Sequence, residues 1–193
     1  MQLNISNLLT WFRILMIPVF IGLFYVSDAT LGTYMKQLIS TVIFVLAGIT
    51  DWLDGYLARR LKQESEFGAF LDPVADKLMV ATALIVLVWL GQVGIIIAVI
   101  IIGREIAISA LREWMAQIGA RNSIAVSMLG KIKTACQMIA IPFLLYREPL
   151  FDLPIHEIGT VLIYLAALLT LWSMAYYLLL ALPQIQKKSQ ERN

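Results

Sequence analysis

Cysteine and histidine each occur once in the 193-residue chain, and charged residues make up only 15% of it. A lone Cys136 cannot form an intramolecular disulfide or a cysteine-rich metal site, which excludes a disulfide scaffold and paired-thiol redox chemistry. A net charge of +2 does not indicate a nucleic-acid partner. Most residues of the chain are apolar. Its 60% hydrophobic residues and mean hydropathy of +0.81 argue against a water-soluble fold, in which about 45–50% of residues are apolar.

Apolar runs long enough to cross a membrane occur six times. A transmembrane helix needs about 20 mostly apolar residues, and continuous runs of that length do not match the alternation of a barrel wall. The sequence therefore predicts an all-α membrane protein, a single domain over residues 1–193, built as a six-transmembrane-helix bundle. We predict spans at residues 8–27, 37–56, 67–90, 94–115, 128–146 and 158–182. Residues 1–7 are expected to lie along the membrane interface, and residues 183–193 to form a cytoplasmic tail.

The basic residues predict the orientation of the bundle. Lysine and arginine concentrate in the connections after the second and fourth spans and in the C-terminal tail, whereas only Lys36 and Arg147 fall on the opposite side. An excess of these residues marks the cytoplasmic face of a membrane protein. Both termini are therefore expected to face the cytoplasm.

Four aspartates lie near the ends of the second and third spans. Asp51 and Asp54 are three residues apart, and Asp72 and Asp76 are four apart, so each pair projects from one helix face. The short connection between the two spans brings these helix ends together, and we expect the four carboxylates to meet just inside the membrane surface. A lone pair of this kind is more often a capping or solvated pair. Two pairs at membrane depth are functional by default, because ionisable groups are costly there.

Four such carboxylates need neutralising charge. Protonation, basic side chains and divalent cations are the three possibilities, and the nearby Arg59 and Lys77 supply only two charges. Two divalent ions balance all four, and oxygen ligands suit hard cations such as Mg²⁺ or Mn²⁺. The aspartates thus favour a two-metal site, an arrangement that assists phosphoryl displacement in enzymes.

The order of residues around these acids resembles the signature of a known family. Asp51-x2-Asp54-Gly55-x2-Ala58-Arg59-x8-Gly68-x3-Asp72-x3-Asp76 is similar at every fixed position to that of the CDP-alcohol phosphotransferases, integral membrane enzymes of phospholipid synthesis. The resemblance extends to residues 7–10 with Arg13, to residues 103–114 and to residues 130–134. Within the family it is greatest to members whose acceptor alcohol is sn-glycerol 3-phosphate.

This resemblance implies an activity and roles for particular residues. The enzyme would transfer the phosphatidyl group of CDP-diacylglycerol to sn-glycerol 3-phosphate and release CMP, with two Mg²⁺ or Mn²⁺ ions on the four aspartates and Asp76 as general base. It would be a homodimer among the lipids of the bacterial cytoplasmic membrane, without a nucleic-acid partner. Helix packing explains the glycines equally well, but the resemblance assigns CDP binding to Asn7, Thr10, Asp51, Gly55, Ala58, Arg59 and Gly68.

Four basic residues are candidates for binding the acceptor phosphate. Arg104 and Arg112 are eight residues apart, about 80° around a helix, so both can face one cavity. Lys131 and Lys133 begin the fifth span on the same side. The alternative is that these residues follow the cytoplasmic bias or bind lipid head groups. Arg104 lies inside an apolar run beside Glu105, where a charge needs a specific partner.

Other functions remain open at this point. A related enzyme could use serine, inositol phosphate or phosphatidylglycerol as the acceptor. A cation or proton transporter could use the same acids, although it needs a route across the bilayer and the four aspartates lie near one surface. In a structural scaffold, replacing any of the four would change little.

Overall fold

The computed structural model describes residues 5–61, 66–117 and 128–190, and these ranges contain six helices and no strand. The helices are α1 (Ile5–Leu23), α2 (Thr33–Leu61), α3 (Glu66–Trp89), α4 (Ile95–Gln117), α5 (Met128–Tyr146) and α6 (Ile155–Gln190). Side chains are described throughout these ranges except at residues 5–7, 54–61, 66–67, 69–70, 112, 116–117, 128–129, 131 and 176–190. The prediction of an all-helical chain with six helices is confirmed for the described residues.

Three helices differ from the predicted spans by three residues or more at both ends; α2, for example, begins at Thr33 rather than at residue 37 and ends at Leu61 rather than at residue 56. α1 ends at Leu23 rather than at Ser27, because the chain turns there through hydrogen bonds from Phe24 N to Ile21 O and from Tyr25 N to Gly22 O. α6 continues to Gln190 and includes much of the predicted tail. Hydropathy marks where a chain becomes polar, whereas glutamine and lysine continue a helix readily.

The bundle has two ends of different character. The connections 24–32, 90–94 and 147–154 lie together at one of them, which we call the loop end. There the ring of Phe24 packs edge-on against Trp89 at 6.3 Å, and Tyr34 packs against Tyr146 at the same distance. The loop after α3 contains Gly91 at φ +70°, and the next amide, that of Gln92, donates a hydrogen bond to the Leu87 carbonyl and closes the helix.

The buried apolar core lies in the half of the bundle nearer the loop end. Its largest side chains come from five helices: Phe20, Phe44, Leu84, Leu87, Ile141, Leu144 and Ile163. α5 and α6 pack most closely, and a Cβ on Gly159 would lie 2.9 Å from the Phe143 Cβ. At the opposite end, which we call the polar end, the described buried side chains include Thr10, Arg13, Arg104 and Lys133.

Within the part of the chain that the structure describes, two segments are long and apolar enough to cross a membrane by length and composition, Thr33–Leu53 and Ile155–Ala175. α1 and α5 contain shorter apolar stretches. α3 and α4 carry charged residues part-way along their length, which interrupts their apolar runs. Large apolar side chains nevertheless cover the outside of the bundle; on α4, for example, Ile95, Ile96 and Val99 are each more than 60% exposed. Such a surface is typical of a membrane protein.

Candidate active site

One face of α1 contacts the acids of both α2 and α3. Thr10 and Arg13 are three residues apart and therefore lie on the same side of the helix. The Arg13 guanidinium donates a hydrogen bond to the Asp51 carboxylate at 2.8 Å, and the Thr10 hydroxyl donates one to Asp72. The Arg13 side chain is 1% exposed and that of Asp51 is 43% exposed. α1 thus fixes one carboxylate on each neighbouring helix.

Asp76 lies one helical turn after Asp72 and is not held in this way. No hydrogen bond or ion pair from the described side chains reaches its carboxylate. It lines a cavity of about 150 Å³ between α3, α4 and α5, whose other polar lining includes Glu105 and Gln137. The neighbouring Lys77 donates a hydrogen bond to Ser109 on α4. The Asp76 carboxylate therefore lines a cavity inside the bundle and accepts no hydrogen bond from the described side chains.

A cluster of charges from α4 and α5 lies around Glu105. Its carboxylate accepts hydrogen bonds from Arg104 and Lys133, both at 3.1 Å, and Arg104 also donates to the Ser173 hydroxyl on α6 at 3.3 Å. The side chains of Arg104 and Lys133 are each 5% exposed, whereas Glu105 is 40% exposed. The sequence-based expectation that Arg104 has a specific partner is confirmed. Among the described side chains, two cations thus meet at one acid.

The carboxylates of α2 and α3 have the donor chemistry of a hard-cation site. Asp51 and Asp72 each use one oxygen in the bonds to α1, which leaves their second oxygens without a hydrogen bond from the described residues. Oxygen ligands of this kind suit Mg²⁺ or Mn²⁺. Where side chains are described, however, no three acidic, histidine or cysteine residues lie close enough to hold one ion. Because the Asp54 side chain lies outside the description, the four-aspartate site stays a prediction.

The predicted site residues fall into two groups. Seven have described surroundings: Thr10, Asp51, Gly68, Asp72, Asp76, Arg104 and Lys133. Of these, Thr10 is completely buried and Gly68 is buried. The structure brings Arg104 together with Lys133, and Thr10 together with Asp72. The side chains of the remaining seven lie outside the description: Asn7, Asp54, Gly55, Ala58, Arg59, Arg112 and Lys131.

Sequence reasoning assigned no role to two residues that organise this site. Arg13 was noted only as part of the resemblance, yet it pairs with Asp51. Glu105 was noted only as a neighbour of Arg104, yet it joins Arg104 to Lys133. The signal for Arg13 was present, because it is an arginine within an apolar run, like Arg104. For Glu105, the Lys133 partner lies 28 residues away on another helix and no spacing rule could find it.

Comparison with protein families identifies the chain. A family model described as CDP-alcohol phosphatidyltransferase matches residues 3–172. The chain belongs to the CDP-alcohol phosphatidyltransferase family. The family match includes every predicted site residue and ends within α6, before the polar turns of that helix.

Several curated proteins resemble this family member over nearly its whole length. The protein of Salmonella typhimurium is 48% identical over 183 residues, which are 92% of this chain and 94% of the relative. The protein of Sodalis glossinidius is 51% identical over 184 residues with the same coverage. That of Haemophilus influenzae is 49% identical over 187 residues, or 94% and 95% of the two chains. All three relatives are named CDP-diacylglycerol–glycerol-3-phosphate 3-phosphatidyltransferase.

Proposed function

We propose that this protein transfers the phosphatidyl group of CDP-diacylglycerol to sn-glycerol 3-phosphate, forming phosphatidylglycerophosphate and CMP. The names of relatives about half identical to it over more than nine-tenths of the chain support this reaction. The observation that carries the proposal is the cavity lined by Asp76 and by Glu105, the partner of Arg104 and Lys133. Because sn-glycerol 3-phosphate carries both a hydroxyl and a phosphate, its site needs a group that takes the hydroxyl proton and cations that bind the phosphate, all within one small volume.

The proton acceptor in this proposal is Asp76. The acceptor hydroxyl oxygen forms a bond to the phosphatidyl phosphorus, the bond from that phosphorus to the CMP oxygen breaks, and CMP leaves with the electron pair. Asp76 takes the hydroxyl proton, a role supported by its lack of a hydrogen-bond donor among the described side chains. Arg13 and Thr10 keep Asp51 and Asp72 in place on the neighbouring helices.

The family is generally metal-dependent. We assign the metal-binding role to Asp51, Asp54, Asp72 and Asp76, and the metal to two Mg²⁺ or Mn²⁺ ions. When bound, such ions neutralise the charge of a diphosphate and of departing CMP. The second oxygens of Asp51 and Asp72 support this assignment, because they accept no hydrogen bond from the described residues and can serve as ligands to a hard cation.

We assign binding of the acceptor's phosphate group to Arg104 and Lys133, the two cations bonded to Glu105. An incoming phosphate can share their hydrogen bonds with this carboxylate. Arg112 and Lys131 are proposed as further phosphate ligands. The CDP group is assigned to Asn7, Thr10, Asp51, Gly55, Ala58, Arg59 and Gly68 on the strength of the signature alone.

We further propose that all six helices cross the bacterial cytoplasmic membrane with the polar end in the cytoplasm. The concentration of basic residues at that end supports the orientation. The short apolar stretches of α1 and α5 and the exposed aliphatic surface of α4 support six crossings rather than two. The outward aliphatic faces of α3 and α4 are proposed as the seam of a homodimer, which mass measurement of the detergent-solubilised protein tests.

The deciding experiment is CMP release from CDP-diacylglycerol by purified protein in detergent. We expect release only with a divalent ion and sn-glycerol 3-phosphate, and no release from the Asp76→Asn variant although it unfolds at the same temperature as the wild type. Asp152→Asn, the same change in an exposed residue of the loop end, should leave the rate unchanged. An active Asp76→Asn variant would remove the proposed base. Release only with serine or inositol phosphate would reassign the acceptor, and ion flux into vesicles without CDP-lipid would favour a transporter.

A further inference from the structure

The loop end contains one lysine and one arginine, and both line one cavity. The sequence has no lysine or arginine other than Lys36 between residues 14 and 58, none from 78 to 103, and none other than Arg147 between 134 and 186. Lys36 is near the start of α2 and Arg147 directly follows α5, more than 100 residues apart in sequence. Both nevertheless line a cavity of about 400 Å³ at the opposite end of the bundle from Asp76.

Lys36 is held in the wall of this cavity. Its side chain is 9% exposed, and its ammonium donates hydrogen bonds to the Val26 carbonyl at 2.5 Å and to the Asp28 carboxylate at 2.6 Å. Lysine is almost never buried to this extent unless it is paired. Asp28 is 73% exposed, so water reaches one side of this ion pair and a ligand can reach it as well.

Arg147 occupies a backbone position that does not favour arginine. Its φ is +67°, in the left-handed region, and it is the first residue after α5, where helices usually place glycine or asparagine. Its side chain is exposed, and among the described residues it makes no ion pair or side-chain hydrogen bond. The chain therefore keeps a free cation at a position that glycine would fill with less strain.

We propose that this cavity binds the phosphate group of an anionic phospholipid. Among the residues that line the cavity, Lys36 and Arg147 against Asp28 give a net charge of +1, which one phosphodiester balances, whereas a zwitterionic lipid leaves it unbalanced; Glu148, next to Arg147, is exposed and outside the lining. The arginine fork can donate two hydrogen bonds to phosphate oxygens. Phe24 and Leu144 in the lining supply apolar contact for the glycerol and the first methylenes of the acyl chains. Free phosphate would share the charge complementarity but would not use this apolar lining.

The test compares three ligands on purified protein in detergent. Phosphatidylglycerol, phosphatidylethanolamine and inorganic phosphate are each titrated, and both the melting temperature and the bound mass by native mass spectrometry are measured. We expect phosphatidylglycerol to bind about tenfold more tightly than phosphatidylethanolamine, and to raise the melting temperature where phosphate alone does not. Equal effects of the two lipids, or the same effect from phosphate alone, would overturn the proposal.

Variants of Arg147 separate binding at this cavity from folding and from the active site. Arg147→Gly removes the charge and suits the positive φ, so the lipid-free protein should melt no lower than the wild type while the gain from phosphatidylglycerol disappears. Arg147→Lys should keep most of that gain. Lys188→Ala, an equal loss of charge near the end of α6, should keep all of it. A lipid-dependent gain that persists in Arg147→Gly would place the lipid elsewhere, including at the active site, and would refute the proposal.

Discussion

Replacing Glu105 by glutamine should destabilise the polar end of the bundle. The carboxylate accepts bonds from Arg104 and Lys133 at 3.1 Å each. At that separation and an effective dielectric constant of about 20, each attraction amounts to about 5 kcal/mol before desolvation is counted. Because Glu105 is 40% exposed, solvent screens much of this, and we expect a net loss of about 2 kcal/mol in the free energy of unfolding. For a chain of this size that lowers the melting temperature by about 4–8 °C.

Thermal unfolding in detergent measures this change against a matched control. Glu113→Gln makes the same substitution at an exposed position of α4 and should shift the melting temperature little. Adding Arg104→Met to Glu105→Gln removes a cation whose acidic partner among the described residues is Glu105, and part of the lost stability should return. If Glu105→Gln melts no lower than Glu113→Gln, the ion pairs contribute nothing measurable and the reasoning about this cluster is wrong.

Three further outcomes are expected. Gly159→Ala should lower the free energy of unfolding by about 1–3 kcal/mol, because its Cβ would lie 2.9 Å from the Phe143 Cβ. Gly22→Ala is the control and should cause no such loss, because nothing lies within 4 Å of its Cβ; chemical or thermal unfolding compares the two variants. Arg13→Met should lower the free energy of unfolding by about 1–3 kcal/mol because it leaves Asp51 without its cation, whereas Arg13→Lys keeps a positive charge and serves as the control. If Arg13→Met unfolds no more easily than Arg13→Lys, this reasoning is wrong. CMP release should stop after exhaustive chelation and return with added Mg²⁺ or Mn²⁺. Turnover that persists in chelator would contradict the metal-binding role proposed for the aspartates.

The sequence was sufficient to predict the helices, because each of the six contains an apolar run, although charged residues interrupt those of α3 and α4. It could not predict where α1 ends, since Phe24, Tyr25 and Val26 are as apolar as the helix before them and the turn depends on backbone hydrogen bonds. It also could not reveal that the core lies nearer the loop end. That asymmetry arises from which helix faces meet, and the hydropathy of one helix does not contain this information.

For the candidate site, local spacing was informative and long-range pairing was not. Thr10 and Asp72 were both named from the signature, but their hydrogen bond to each other joins residues 62 apart in sequence. Arg104 was correctly expected to have a partner, because a charge in an apolar run must be compensated. Its bond to Ser173 on α6 depends on how α4 and α6 pack, which no pattern within α4 reports.

The separation of the apolar core from the charged contacts has a mechanical consequence. Near the loop end, α5 and α6 approach so closely that there is no room for a methyl group at Gly159. Near the polar end, the described contacts between helices include a handful of polar bonds, several of which reach carboxylates that are partly open to water. Helices joined in this way can spread at one end while remaining packed at the other. In the proposed reaction, a two-tailed lipid would therefore meet the bundle at the polar end, away from the closely packed contact at Gly159.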